Sequence, residues 1–213
     1  MKLHPDLEQY IENHSSIELP ILKEIYKDTY LNQLNPRMVS GHNQGLFLIM
    51  ISKMIKPKSI LEIGTFTGYS AICLAQGLTP DGILHTIEID DEIASQTKLS
   101  FNRSGLGDKI KLHVGSALDI IHKINTSFDL IFIDGEKREY PQYLELCLKY
   151  LNVGGYLIAD NVLWNEKVID PAMKEDKATK AVIQFNEMVH ANPDLLHVLL
   201  PLRDGLMMCQ KIR

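Results

Sequence analysis

No apolar stretch in this 213-residue chain is long enough to cross a bilayer: the strongest run, Leu46 to Ile51, falls far short of the roughly 20 residues a span needs. The first ten residues carry His, Pro, Asp and Glu where a secretion signal would have an apolar core. Cysteine is scarce. Cys73, Cys147 and Cys209 lie far apart inside apolar periodic segments, which reads as buried free thiols in a reducing compartment rather than a disulfide framework. Charge of one sign is also missing: 22 Lys and Arg against 27 Asp and Glu leave a formal net charge of −5. That balance gives no broad electrostatic footprint for nucleic acid, although it leaves room for a local basic patch. There is no low-complexity tract and no internal repeat. None of the eight histidines has the spacing of a metal pair; His42 is the one candidate among them for a functional role, with loop polarity as the plain alternative. The expectation is a cytoplasmic protein with no membrane partner.

From Ser59 onward, short apolar runs alternate with amphipathic stretches, the pattern of a parallel sheet covered by helices. Strands are expected at about 59–64, 83–88, 109–114, 128–133 and 155–160, with helices at about 68–78, 91–104, 117–124 and 139–151 between them. The Gly154-Gly155 pair reads as a turn between the last of these helices and its strand. After a long helix near 176–191, two apolar runs (195–201 and 206–212) are joined by Leu202-Arg203-Asp204-Gly205, whose Asp-Gly step predicts a β-hairpin. The final strand would then run against the rest. Residues 1–56 form a helical segment broken near Ser15-Ser16 and Asn35-Pro36, acting as a lid or a dimer surface, and 57–213 form the sheet core of one domain. Gly41 and Gly45 flank a stretch that reads as loop or helix start.

The G-x-G-x-x-G of a dinucleotide site is missing too. After the apolar strand residues Ser59 to Leu61 comes Glu62-Ile63-Gly64-Thr65-Phe66-Thr67-Gly68-Tyr69-Ser70, with its glycines four apart. A tight turn without the glycine that lets backbone approach a pyrophosphate suits a nucleoside carrying no phosphates. At the end of the next strand stands Glu88, where a carboxylate can accept both ribose hydroxyls. Together these point to S-adenosylmethionine. A nicotinamide-dependent dehydrogenase is disfavoured by the same missing glycine.

Two later strands end in acids. Phe128 to Ile133 delivers Asp134, followed by Gly135-Glu136-Lys137; Gly155 to Ala159 delivers Asp160, followed by Asn161. If those strands are neighbours, about 4.8 Å apart, the carboxylates emerge at one height, repel, and need a shared proton or a cation. With the Asn161 amide they make an all-oxygen set suited to a hard divalent ion: magnesium first, manganese or calcium as alternatives. The plain alternative is that each Asp caps the turn after its strand. Lys137, beside such a dication, would have a lowered pKa and could serve as a base.

At this point the sequence resembles the cation-dependent, S-adenosylmethionine-dependent O-methyltransferases of the catechol and caffeoyl-CoA type. The resemblance covers about residues 36–213. It rests on L-E-I-G-T-F-T-G-Y-S, the Glu88 strand end, F-D-L-I-F-I-D-G-E-K, G-G-Y-L-I-A-D-N-V-L-W and L-P-L-R-D-G-L. It implies a Rossmann-like α/β fold: a seven-stranded, mostly parallel sheet with an antiparallel last strand, helices on both faces, and added N-terminal helices. It implies metal binding by Asp134, Asp160 and Asn161, and Lys137 as the catalytic base. Cofactor contacts fall on Ser40, Glu62, Gly64, Thr65, Phe66, Ser70, Glu88, Ala117 and Asp134, with Glu62 at the methionine amino end, Ser70 at its carboxylate and Ala117 beside the adenine. Trp164 would form a wall against an aromatic acceptor, or simply pack near the site.

Two departures bear on the acceptor. Glu136-Lys137 stands where the plant enzymes read Asp-Lys, and an apolar run near Val198 stands where animal catechol enzymes carry a glutamate. The implied activity is methyl transfer to a hydroxyl of a catechol-like or hydroxycinnamoyl-type phenol by a homodimeric bacterial-type enzyme. The alternatives are O-methylation of a modified uridine in tRNA, or a non-catalytic S-adenosylmethionine-binding module.

Overall fold

Near-continuous burial along the central strands, successive side chains going to opposite faces, builds the molecule around a central sheet. In β1 (Ser59–Ile63) and β4 (Phe128–Ile133), Leu61, Ile63, Ile131 and Ile133 pack on one face, while Ile60, Leu130 and Phe132 pack on the other. Each such fully buried side chain contributes about 1.5–3 kcal/mol, so a sheet apolar on both faces needs helices on both. The computed structural model describes residues 4–213. Its seven strands lie in the order β3-β2-β1-β4-β5-β7-β6, with β2 at Ile83–Glu88, β3 at Ile110–Val114, β5 at Leu151–Ala159, β6 at Leu195–Leu200 and β7 at Leu206–Lys211. Neighbours pair in parallel except at β7, which runs against both β5 and β6. The Rossmann-like sheet with an antiparallel last strand is as expected.

One face is covered by α6 (Ala117–Ile120), α7 (Tyr140–Tyr150) and α8 (Lys177–Ala191). The other is covered by α2 (Pro20–Asn32), α3 (His42–Ile55), α4 (Tyr69–Ala75) and α5 (Asp91–Arg103). The first helix, α1 (Pro5–Asn13), has no buried residue. Breaks fall where the sequence puts them, at 14–19 and at the short 3-10 turn Pro36–Met38. Gly41, with φ of 76°, is the residue just before α3, so His42 begins the helix. His42 Nε2 meets the carbonyl of Ser16 at 2.8 Å, which is a structural role.

Two expectations need correction. The Gly154-Gly155 pair is no turn: β5 begins at Leu151, and the glycines lie inside it at a register shift, Phe128 pairing with Leu151 but Leu130 with Tyr156. Gly154 takes φ of 84° there, the signature of a bulge that only glycine accommodates without strain. The helix expected over 117–124 is α-helical only to Ile120 and tightens to a 3-10 turn over Ile121–Lys123. All three cysteines are free and buried, and among the described residues no helix is long and apolar enough to cross a membrane.

Candidate active site

Parallel strands leave their carboxyl ends at one edge, and β1, β2, β4 and β5 together floor a cleft of about 1270 Å³. Ser40, Gly64, Thr65, Phe66, Ser70, Glu88, Ala117, Asp134, Lys137, Asp160, Asn161 and Trp164 all line it. The segment from Asn32 to Ser40, between α2 and α3, forms one lip. The N-terminal helical region therefore contributes directly to the cleft.

The turn from β1 into α4 shapes the first half. Gly64 sits at φ of 95°, and a Cβ there would lie 2.2 Å from the carbonyl oxygen of Asp134. The ends of β1 and β4 are thereby brought into backbone contact, with the Asp134 N–H donating to the Ile63 carbonyl at 2.8 Å. Phe66 is held at φ of 49°, a conformation non-glycine residues seldom take. Its N–H donates to Glu88 Oε2 at 2.6 Å and its carbonyl accepts from Thr97 Oγ1 at 2.8 Å. Glu88 Oε1 accepts from the Asp90 N–H at 2.9 Å. The carboxylate at the end of β2 is fixed by two backbone donors, and each oxygen keeps a further lone pair.

Glu62 lies behind this wall, wholly buried. Its Oε2 accepts from Thr86 Oγ1 at 2.5 Å, while Oε1 has no hydrogen-bond partner. Burial, reinforced by Asp134 and Glu88, pushes its pKa up to about 8 although the Ser70 and Thr86 hydroxyls oppose the shift. A buried carboxylate oxygen left without a donor is costly and needs a cationic or donating partner.

The second half holds the acids. Ile133 of β4 pairs with Ala159 of β5, so Asp134 and Asp160 leave adjacent strands side by side. Burial and then the Asp134 charge raise the Asp160 carboxyl to about 6. Asp160 is pinned at both oxygens: Oδ1 accepts the Asn161 N–H at 2.7 Å, and Oδ2 accepts Gln44 Nε2 at 2.6 Å. Among the described residues no group of three or more His, Cys, Asp or Glu converges. The donor set facing the cleft here is two carboxylates with the neighbouring Asn161 amide, oxygen chemistry that fits a hard divalent ion.

Lys137 is nearly buried and donates to Asp134 Oδ1 at 2.9 Å, Tyr140 Oη at 2.8 Å and the Gly135 carbonyl at 3.2 Å. Burial alone would lower its pKa, but the Asp134 carboxylate and the Tyr140 hydroxyl outweigh that and raise it. These neighbours act against the lowered pKa expected from sequence. Glu136 is occupied by a near neighbour, accepting the Arg138 backbone N–H at 3.1 Å and its Nε and Nη2 at 3.0 Å each. Trp164 has a buried Nε1 without a partner and opens three successive left-handed residues, Trp164, Asn165 and Glu166. Such strain persists only where surroundings enforce it, and Asp204 does so, accepting the Asn165 N–H at 2.6 Å and the Leu163 N–H at 2.9 Å. Val198 lies on the edge strand β6, half exposed and away from the cleft lining.

Three residues escaped the sequence reading. Tyr140 is fully buried and donates to the Asp160 carbonyl at 2.8 Å. Gln44 and Arg203 reach Asp160 and the cleft wall from distant parts of the chain. The only signal for them was Arg203 inside L-P-L-R-D-G-L.

Residues 12–212 match the family model described as O-methyltransferase. A catechol O-methyltransferase of Niastella koreensis is 35% identical over 74% of this chain and 72% of its own length. A caffeoyl-CoA O-methyltransferase of Eucalyptus gunnii is 32% identical over 83% and 75%. The crystal structure of the O-methyltransferase TomG of Streptomyces achromogenes, in complex with S-adenosylmethionine, superposes with a TM-score of 0.91 at 28% identity, covering 98% of this chain and 96% of that one. The chain belongs to the O-methyltransferase family.

Proposed function

We propose that the protein binds S-adenosylmethionine and transfers its methyl group to one hydroxyl of a small vicinal-diol phenol, catechol-like or hydroxycinnamoyl-type, with a divalent cation bound beside it. The observation that carries this reading is the meeting of two halves in one cleft: the β1–α4 turn with Glu88 on one side, Asp134, Asp160, Asn161 and Lys137 on the other. The cofactor named for TomG and the acceptors named for the two relatives support it.

In this reading Glu88 accepts the ribose hydroxyls, Ala117 lies against the adenine, and Ser40, Gly64, Thr65 and Phe66 enclose the rest of the cofactor. Ser70 meets the methionine carboxylate, and the partnerless oxygen of Glu62 draws the methionine ammonium toward the α4 turn. Asp134, Asp160 and Asn161 are the residues that would hold the cation. There the cation would supply positive charge that acidifies a phenol whose own pKa is about 10. With a cation on Asp134, the pairing that keeps Lys137 protonated would weaken; Lys137 gives that proton to solvent, and its neutral amine then takes the hydroxyl proton. The oxygen–methyl bond then forms as the sulfur–methyl bond breaks, leaving S-adenosylhomocysteine. Trp164 gives the acceptor ring an apolar wall. Because both reactants sit in one cleft, much of the acceleration comes from alignment.

A methyl-transfer screen with labelled S-adenosylmethionine tests this. Label should appear on 1,2-diphenols, dihydroxycinnamoyl esters among them, and be absent from monophenols. Labelling of tRNA with none on any diphenol would overturn the acceptor assignment.

A further inference from the structure

Asp160 cannot turn. Its carboxylate is held at both oxygens, by the Asn161 N–H on one side and by Gln44 Nε2 on the other. Gln44 comes from the first turn of α3, 116 residues away, and is itself fully buried. Its amide has a defined sense, because Arg203 Nη1 lies 2.9 Å from Gln44 Oε1. A guanidinium offers only donors, so the amide oxygen must face Arg203 and the NH₂ must face Asp160. Arg203 is anchored in turn by the carbonyls of Ser40 and Val39. Gly45, next in the helix, fixes the depth of α3, since a Cβ there would lie 2.8 Å from the Tyr69 ring.

Resting on the function proposed above, we infer that Gln44 is a positioning residue for the cation site, aiming the Asp160 carboxylate into the cleft, with Arg203 setting the amide's orientation. The chemistry calls for such a part. A small hard cation demands near-ideal octahedral geometry, and two adjacent carboxylates left alone would swing apart. An amide donor holds one of them by a single lone pair without adding charge, leaving the other lone pairs for the ion. The pairing also joins α3 to the β6–β7 hairpin, whose next residue, Asp204, clasps the Trp164 loop. Both walls of the acceptor side are thus tied to one hairpin tip.

The test titrates the full-length protein with Mn²⁺ by calorimetry, and separately with S-adenosylmethionine in EDTA. Gln44→Met keeps the length and removes the polar head; Gln44→Asn keeps the amide but is one methylene too short to reach both partners. Loss of an outer partner of a metal ligand typically weakens metal binding by about 10–100-fold. That loss is expected for Gln44→Met, and a loss in the same direction for Gln44→Asn, with S-adenosylmethionine affinity unchanged in both. Unchanged Mn²⁺ affinity in both variants would overturn the inference, as would an equal loss of both ligands, which would make Gln44 a general packing residue. If the wild-type protein binds no Mn²⁺, the cation reading fails and this inference fails with it.

Discussion

In the proposed reading, Glu62 connects stability to ligand binding through one buried oxygen. Its folded-state pKa of about 8 stands above its ordinary 4.5, chiefly through burial. The fold therefore favours the protonated acid. A group raised in this way stabilises the native state fully below its unfolded pKa and loses that contribution as pH rises through the folded value. The window here runs from 4.5 to about 8. Glu62→Gln, which is neutral throughout, should lose less stability than wild type across that window, read by thermal melts at pH 5 and pH 9. Parallel profiles for the two proteins would mean that Glu62 is solvated or paired in a way that its buried, partnerless Oε1 does not suggest. The same substitution should weaken S-adenosylmethionine binding, since a bound ammonium can ionise the acid and pair with it but cannot ionise the amide.

Among elements, the β1–α4 turn has the least freedom. Gly64→Ala would push a methyl into the Asp134 backbone at a positive φ, so the ends of β1 and β4 would have to separate. The expected result is a lower melting temperature and S-adenosylmethionine binding weakened beyond what the stability loss explains; wild-type affinity would contradict it. This turn was legible in the sequence because its glycines, the preceding apolar run and Glu88 are local signals. The same holds for the acids ending β4 and β5, and for the hairpin announced by Asp204-Gly205. Legibility failed where the deciding partner is remote. Gly154-Gly155 reads as a turn locally, and only the pairing of Leu151 with Phe128 and of Tyr156 with Leu130 on either side makes it a bulge. Gln44 and Arg203 are 159 residues apart, and nothing near either announces the other. Lys137 is a different case: Asp134 is only three residues away, but their ion pair forms only once the turn after β4 is folded.

For the whole molecule, the sheet brings to one edge two kinds of chemistry that are far apart in sequence. The residues proposed to hold the cofactor come from β1 and β2, and those proposed for the cation and acceptor from β4 and β5, on either side of the β1/β4 junction. The two halves share Asp134 but have different floors, so they should fail separately. The most direct test is the rate of methyl transfer to a 1,2-diphenol with Mg²⁺ and with EDTA, for wild type and Asp160→Ala, alongside S-adenosylmethionine affinity for each. The expected result is transfer by the wild type only with Mg²⁺, none by Asp160→Ala under either condition, and cofactor affinity preserved in both proteins. Full turnover in EDTA, or wild-type rates from Asp160→Ala, would contradict the reading of Asp134, Asp160 and Asn161 as a cation site that serves methyl transfer.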